Sequence, residues 1–314
     1  MIAALPSSAL AQQPKATRRL GVLSVTAADD AIGQTRSTVL VEALAGLGWK
    51  ERDNLGIDWR SGAGDRVRIA QLADELIALK PDILLAVGTP SVEELRRRTT
   101  TIPIVFAVVT DPVSQGFVEN LAHPGGNVTG FTDYDGPLAG KWLEMLTQVT
   151  PPVRRVFVVY NPATAPFAFL MLRTIEDAAR TLHVTVEPAP VSDAASIAAL
   201  ASRKDGGFLI LPDFFTMANR AQLLAAIRQA RVPAVFWSRT FVEEGGLMSY
   251  STDSAEQVRR AAGYIDRILK GASPAELPVQ NPTKFELAVN LKTAREFGVT
   301  LAPGLIALAN DVIE

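Results

Sequence analysis

KPDILLAVGTPSVEELRRRTTTIPIVFAVVTDPV, residues 80–113, decides the fold class. Two apolar runs, Ile83–Val87 and Ile104–Val109, each stop at a polar residue followed by proline: Gly88-Thr89-Pro90 and Thr110-Asp111-Pro112. One short helix separates them. Ligands of open parallel sheets sit at the carboxyl ends of the strands, so two consecutive strands ending this way mark a candidate binding edge.

The same rhythm extends on both sides. Upstream, residues 20–25 (LGVLSV) read as a buried strand running into the polar stretch 26–30. Residues 35–47 follow as a helix, with Val39, Leu40, Ala43, Leu44 and Leu47 on one face and Gly48 as its stop. A strand at 55–59 and a helix at 68–79, with Ile69, Leu72, Leu76 and Leu79 at helical spacing, lead into Ile83. Strand and helix in alternation with short connections imply a parallel sheet with right-handed crossovers.

Downstream, a strand at 128–131 precedes a polar stretch at 132–136 and a helix at 138–149, closed by Pro151-Pro152. Residues 154–160 (RRVFVVY) then open a second series. Helices are expected at 167–182, 194–202 and 217–230, and strands at 184–187, 207–211 and 234–237. The second half repeats the first, giving an α/β protein of two doubly wound, Rossmann-like parallel-sheet domains. A strand at 246–250, a helix at Ser254–Leu269 with Val258, Ala262, Ile265 and Leu269 on one face, and a strand at 285–291 are too few for a third core. They complete the two sheets. A chain that crosses between domains more than once makes a multi-stranded hinge, suited to closing around a ligand.

Composition bounds the function. The chain has 314 residues, 48% of them hydrophobic and 20% charged, and a net charge of −2, which gives no general attraction to nucleic-acid phosphates. No apolar stretch reaches the roughly 20 residues of a membrane span. With no cysteine, neither a disulfide framework, thiol catalysis, a cysteine-ligated metal nor a lipid-anchored amino terminus is expected. The first 11 residues, MIAALPSSALA, end in an A-x-A site before Gln12-Gln13-Pro14 and read as the tail of a secretory leader; the alternative is a disordered terminus.

Strand ends followed by Thr89-Pro90, Asp111-Pro112, Asn161-Pro162, Pro212-Asp213 and Trp237-Ser238 are each explained by a well-capped helix start. Five of them, divided over both halves, would converge on one cleft and offer N–H groups to an anion. The candidate ligand-binding residues are therefore Ser24, Thr89, Ser91, Asp111, Asn161, Asp213, Phe214, Trp237 and Tyr250. Thr89 and Ser91 would hold an anionic group, Asp111 or Asp213 would pair a cation, and Phe214, Trp237 and Tyr250 would wall a flat or apolar side chain. That combination suits an amino acid. Arg36 and Arg239 also fall near expected strand ends, and Arg239 reads equally as a solvated surface charge. Phosphate-loop, dinucleotide and nucleophile-elbow motifs are absent, and His123 and His183 have no metal-ligand spacing, so neither enzyme chemistry, a cofactor nor a metal is expected.

Several further segments, in order, carry a resemblance: Thr101-Ile-Pro-Ile-Val-Phe106, Asp111-Pro112, Pro124-Gly-Gly-Asn-Val-Thr-Gly130, Gly245-Gly-Leu-Met-Ser-Tyr250 and Pro282-Thr-Lys-Phe-Glu-Leu287 with Asn290-Leu-Lys-Thr-Ala294. From about residue 19 to the end, the chain resembles the substrate-binding proteins of ABC transporters, in the group that includes tryptophan- and phenylalanine-binding members. The resemblance implies a type I periplasmic binding protein with two lobes, three hinge crossings and a ligand enclosed between them. Residues 18–131 and 252–278 would form the N-terminal lobe, 132–251 and 279–314 the C-terminal lobe, and 1–17 the leader remnant and linker. It further implies a periplasmic, soluble receptor, monomeric, for a small-molecule solute such as an aromatic or other amino acid, delivering to an ABC permease in the inner membrane. A ligand-sensing regulatory module and an α/β enzyme using the same cleft are the alternatives.

Overall fold

The structure, a computed structural model, describes residues 17–134 and 136–314; the leader-like residues 1–11 lie outside them. The first lobe comprises β1 (Arg18–Ser24), α1 (Ala31–Gly46), β2 (Leu55–Ser61), α2 (Arg66–Ala78), β3 (Ile83–Val87), α3 (Thr89–Arg98), β4 (Ile104–Val109) and β5 (Val128–Thr132). These five strands are parallel, in the order β2-β1-β3-β4-β5. All of β3 and β4 is buried, which explains their unbroken apolar runs. Successive residues serve opposite faces: Ile83, Leu85 and Val87 pack on one side of the sheet, while Leu84 and Ala86 pack on the other.

The second lobe continues with α4 (Gly136–Thr147), β6 (Val149–Thr150), β7 (Arg155–Tyr160), α5 (Ala168–Leu182), β8 (Thr185–Pro190) and α6 (Ala194–Ala199). Then come β9 (Gly207–Ile210), α7 (Phe214–Ala218), α8 (Arg220–Ala230), β10 (Ala234–Phe236), α9 (Arg239–Glu243) and β11 (Met248–Thr252). The chain next returns to the first lobe as α10 (Ser254–Leu269), whose Val258, Ala262, Ile265 and Leu269 pack with Leu20, Leu85 and Val105. Val279 still belongs to the first-lobe core, and Gln280 pairs with the end of β5, accepting from Thr132 N–H at 2.9 Å. The second lobe is finished by β12 (Phe285–Asn290), α11 (Leu291–Phe297), β13 (Thr300–Leu301), α12 (Pro303–Ala307) and β14 (Asp311–Ile313).

The second sheet has the order β14-β12-β11-β10-β9-β7-β8. Its strands β7 to β11 are parallel, but β12 runs antiparallel to β11. Sequence rhythm alone predicts wholly parallel sheets. The reversal arises because the chain leaves β11 at the hinge, builds α10 in the other lobe and re-enters from the hinge, without the crossover that restores a parallel direction.

Local chemistry also moves some boundaries. Asp30 caps α1, accepting from Ile32 and Gly33 N–H at 3.0 Å, so that helix begins a turn before the expected residue 35. The helix expected over 217–230 is two helices meeting at Asn219. Two of the five strand ends start no helix: Asp111 closes a turn by accepting from Ser114 N–H at 3.1 Å, and Asn161 does so with Ala163 N–H at 2.8 Å. An Asx side chain that satisfies its own turn has no need of a helix behind it.

Candidate functional site

Carboxyl ends of strands from both sheets meet across the cleft. An enclosed cavity of about 40 Å³ is lined by Thr89 and Pro90 after β3, Val108 and Thr110 at β4, Asp133 after β5, Asp213 and Phe214 after β9, and Trp237 after β10. Beside it, a wider depression of about 190 Å³ shares Arg36, Asp133, Phe214 and Trp237. The enclosed part has room for little more than water. Two larger depressions of about 550 Å³ lie elsewhere, one at the outer edge of the second lobe and one on the rim between α3 and α5. The described polar atoms that are buried without a partner are not among their lining residues.

Helix α3 begins at Thr89 behind Gly88, and no side chain caps it. Gly88 holds φ at +90°, and a Cβ there would stand 2.7 Å from Val25 Cγ2 and 3.1 Å from Phe214 Cζ. The missing side chain is what lets Phe214, from the opposite lobe, pack on the first-lobe cluster containing Leu23 and Val25. Val108 is irregular too: its φ is +60°, where β4 and β5 slip register, and its N–H turns to Gln257 Oε1 at 3.0 Å. A β-branched residue in that conformation is strained, and such strain concentrates at ligand sites and hinges.

Gln257 also ties the hinge strands. Its amide donates to Asp133 Oδ1 at 2.9 Å and to the Thr252 hydroxyl at 3.1 Å, while that hydroxyl donates to the same Asp133 oxygen. Burial pushes the Asp133 carboxyl above its usual range, opposed by those two donors and by Arg36. Arg36 lies on α1 of the first lobe, donating through Nε to Ser254 Oγ at 3.1 Å. Burial lowers its pKa, opposed by the charges of Asp133 and Asp30. Both Arg36 Nη1 and Trp237 Nε1 are buried with no hydrogen-bond partner among the described residues. Tyr134 donates its hydroxyl to the Trp237 carbonyl at 2.6 Å, and burial, then Asp133, raise its pKa well above the usual value.

Of the residues chosen from sequence, Thr89, Asp213, Phe214 and Trp237 come together in the cavity. Asp213 has its oxygens engaged by Asn161 N–H at 2.7 Å, Phe215 N–H at 2.9 Å and the Thr164 hydroxyl, all from its own lobe. Burial raises its carboxyl, against those same donors. Ser24 bonds to Thr26, and Ser91 donates back to Val87 O at 3.1 Å. Asp111 lines a separate depression with Met171 and Arg173. Asn161 caps its turn, and Tyr250 stacks on Phe285 at 5.6 Å in the second lobe. Arg239 pairs with Glu243 and Asp311, at 2.8 and 2.9 Å.

Strand-end patterning assigns Asp133 no role and Arg36 only a nearby position. A signal for Arg36 existed: Arg36, Leu40 and Leu44 form the buried i, i+4, i+8 stripe of α1, so the arginine occupies a core-facing position. Asp133 had a weaker signal, an acid immediately after a wholly buried strand. Among the described residues no group of His, Asp and Glu is placed to hold a metal ion.

Kinship to known proteins agrees with this two-lobed cleft. The model of the family described as "ABC transporter substrate binding protein" matches residues 22–313. The chain belongs to that family. It is similar, at 26% identity over 258 residues, to the tyrosine-binding protein of Clostridioides difficile, covering 81% of this chain and 74% of that one. It is also similar to the crystal structure of an ABC domain in complex with L-Trp from Streptococcus pneumoniae, with TM-score 0.87 and 25% identity over 95% of this chain and 100% of the other. A conserved domain protein of Vibrio cholerae superposes with TM-score 0.87 at 27% identity, over 94% and 99% of the two chains. This substrate-binding protein thus has the two-lobe type I periplasmic-binding fold, and no helix among its described residues is long and apolar enough to cross a membrane.

Proposed function

We propose that this substrate-binding protein is the exported receptor of an ABC importer and encloses a small amino-acid-like or aromatic solute between its lobes. The observation that carries the reading is the pair of buried, unpartnered donors, Arg36 Nη1 and Trp237 Nε1, in a cleft walled by Phe167, Phe214 and Pro90. A buried donor without a partner costs about 1–3 kcal/mol, and a ligand acceptor removes that cost. Aromatic walls favour a flat or apolar side chain beside it. The names of the relatives, tyrosine-binding in one and L-Trp-complexed in another, agree with that chemistry.

In this proposal Thr89, Phe214 and Trp237 contact the solute, with Thr89 at the uncapped start of α3 offering N–H and hydroxyl donors to an anion. Asp213 shapes the floor rather than pairing a cation. The protein works by binding and closure without turnover or cofactor, as a periplasmic monomer that hands its solute to an inner-membrane permease. Calorimetric titration of refolded, ligand-stripped protein with tyrosine, tryptophan, phenylalanine and aromatic acids tests it. Binding in the micromolar range or tighter, with the solute recovered unchanged, is expected; no binding of any of them by folded protein overturns the ligand class.

A further inference from the structure

Arg36 and Asp133 are only 9% and 5% exposed, and they line both the enclosed cavity and the depression beside it. They carry opposite charges, yet no ion pair joins them. Arg36 uses Nε on Ser254 and leaves Nη1 buried and, among the described residues, unbonded. Asp133 receives both of its side-chain hydrogen bonds on Oδ1, and among the described residues Oδ2 accepts none.

The other charged groups around this space are already occupied. Asp30 caps α1, and Asp213 takes three donors from its own lobe. Asp253 caps α10 at Glu256 N–H and pairs with Lys284 at 2.8 Å, which also reaches Glu286 at 3.2 Å. Arg239 is bound by Glu243 and Asp311. What remains is one buried cation with an unbonded nitrogen and one buried anion whose side-chain hydrogen bonds all fall on a single oxygen. A buried charge without a partner is strongly unfavourable, and a ligand carrying both signs satisfies the two together.

We propose that Arg36 and Asp133 take the two ends of one zwitterion, Arg36 Nη1 binding the α-carboxylate and Asp133 Oδ2 the α-ammonium, with an uncharged side chain among Phe167, Phe214 and Trp237. This assignment rests on the amino-acid receptor reading and narrows it to neutral amino acids. A solute with a charged side chain brings a third charge with no counter-ion left to meet it, and an uncharged solute leaves both protein charges buried and unpaired. Thr89 and the start of α3 share the carboxylate, whose two oxygens accept several bonds. Because Asp133 Oδ1 is held by Thr252 and Gln257, the ammonium is recognised by a group fixed in the hinge itself.

Calorimetry with L-tyrosine, its deaminated acid 3-(4-hydroxyphenyl)propionate and its decarboxylated amine tyramine tests the assignment. Wild-type protein is expected to bind tyrosine about 100-fold tighter than either analogue, as befits truncating one partner of a buried charged pair. Asp133→Asn, which keeps an acceptor for Thr252 and Gln257, is expected to bring tyrosine close to the deaminated acid. Arg36→Gln is expected to do the same for tyrosine and tyramine. Equal binding of tyrosine and either analogue by wild-type protein overturns the assignment without recourse to a variant. So does a tyrosine preference that survives in both variants. Failure of every amino acid to bind overturns the receptor reading and this one with it, whereas tyrosine binding with unchanged ratios overturns the charge assignment alone.

Discussion

Removing the Phe214 ring should loosen closure while leaving each lobe folded. The residue opens α7 in the second lobe, but its ring packs against the first-lobe cluster that includes Leu23 and Val25, beside the bare backbone of Gly88. Fully burying a phenylalanine side chain stabilises by about 1.5–3 kcal/mol, so a half-buried ring contributes about 0.8–1.5 kcal/mol. Those contacts exist only when the lobes are together, so Phe214→Ala shifts the closed–open equilibrium by about 4–12-fold, at 1.4 kcal/mol per tenfold. Affinity for a ligand that needs the closed form falls by a similar factor. Small-angle scattering of unliganded protein, calorimetry with L-tyrosine and urea unfolding separate the possibilities. A larger radius of gyration, weaker binding and a nearly unchanged unfolding midpoint are expected. Unchanged scattering with affinity within about twofold of wild type refutes the cross-cleft role. Weaker binding with unchanged scattering makes the ring a ligand contact only.

Gly88→Ala imposes a left-handed backbone on alanine and drives its Cβ to 2.7 Å from Val25, so a loss of about 2–4 kcal/mol is expected by urea unfolding, and a loss under about 0.5 kcal/mol contradicts the close approach. Asp213→Ala orphans Asn161 N–H, Phe215 N–H and the Thr164 hydroxyl, costing about 2–4 kcal/mol of stability; weaker tyrosine binding at unchanged stability would instead show that Asp213 meets the ligand. The buried Asp133 carboxyl has a folded-state pKa raised above the ordinary 3.8, so the folded protein holds that proton to higher pH than the unfolded chain does. Its contribution to stability is therefore greatest at and below 3.8 and declines as pH rises towards the raised value. In ligand-free protein, Asp133→Asn is expected to flatten the fall of unfolding free energy across that window, and an unchanged slope contradicts the titration.

Much of the fold is legible in the sequence because buried parallel strands must be apolar throughout. The runs at Ile83–Val87 and Ile104–Val109 are β3 and β4 to the residue, and Ser254–Leu269 is α10. The site is less legible, since helix-start chemistry and ligand-site chemistry use the same residues. Asp111-Pro112 and Asn161-Pro162 satisfy local turns, whereas Asp213 caps α7 and also braces Asn161 and Thr164, 52 and 49 residues away. Nothing local distinguishes those three cases.

The alternation of strand and helix, the repetition of that pattern in two halves and the edge at which Thr89 and Trp237 lie all follow from the order of residues. Hydrophobic period and turn chemistry act over a few residues, and a linear reading captures them. Three features exist only in the folded chain: β12 runs against β11, Phe214 crosses to the other lobe, and Arg36 and Asp133 line one cavity with no ion pair between them. Each of these depends on a chain that passes between lobes and returns. The distance between charges brought together in that way is a property of the packed molecule, not of any stretch of its sequence.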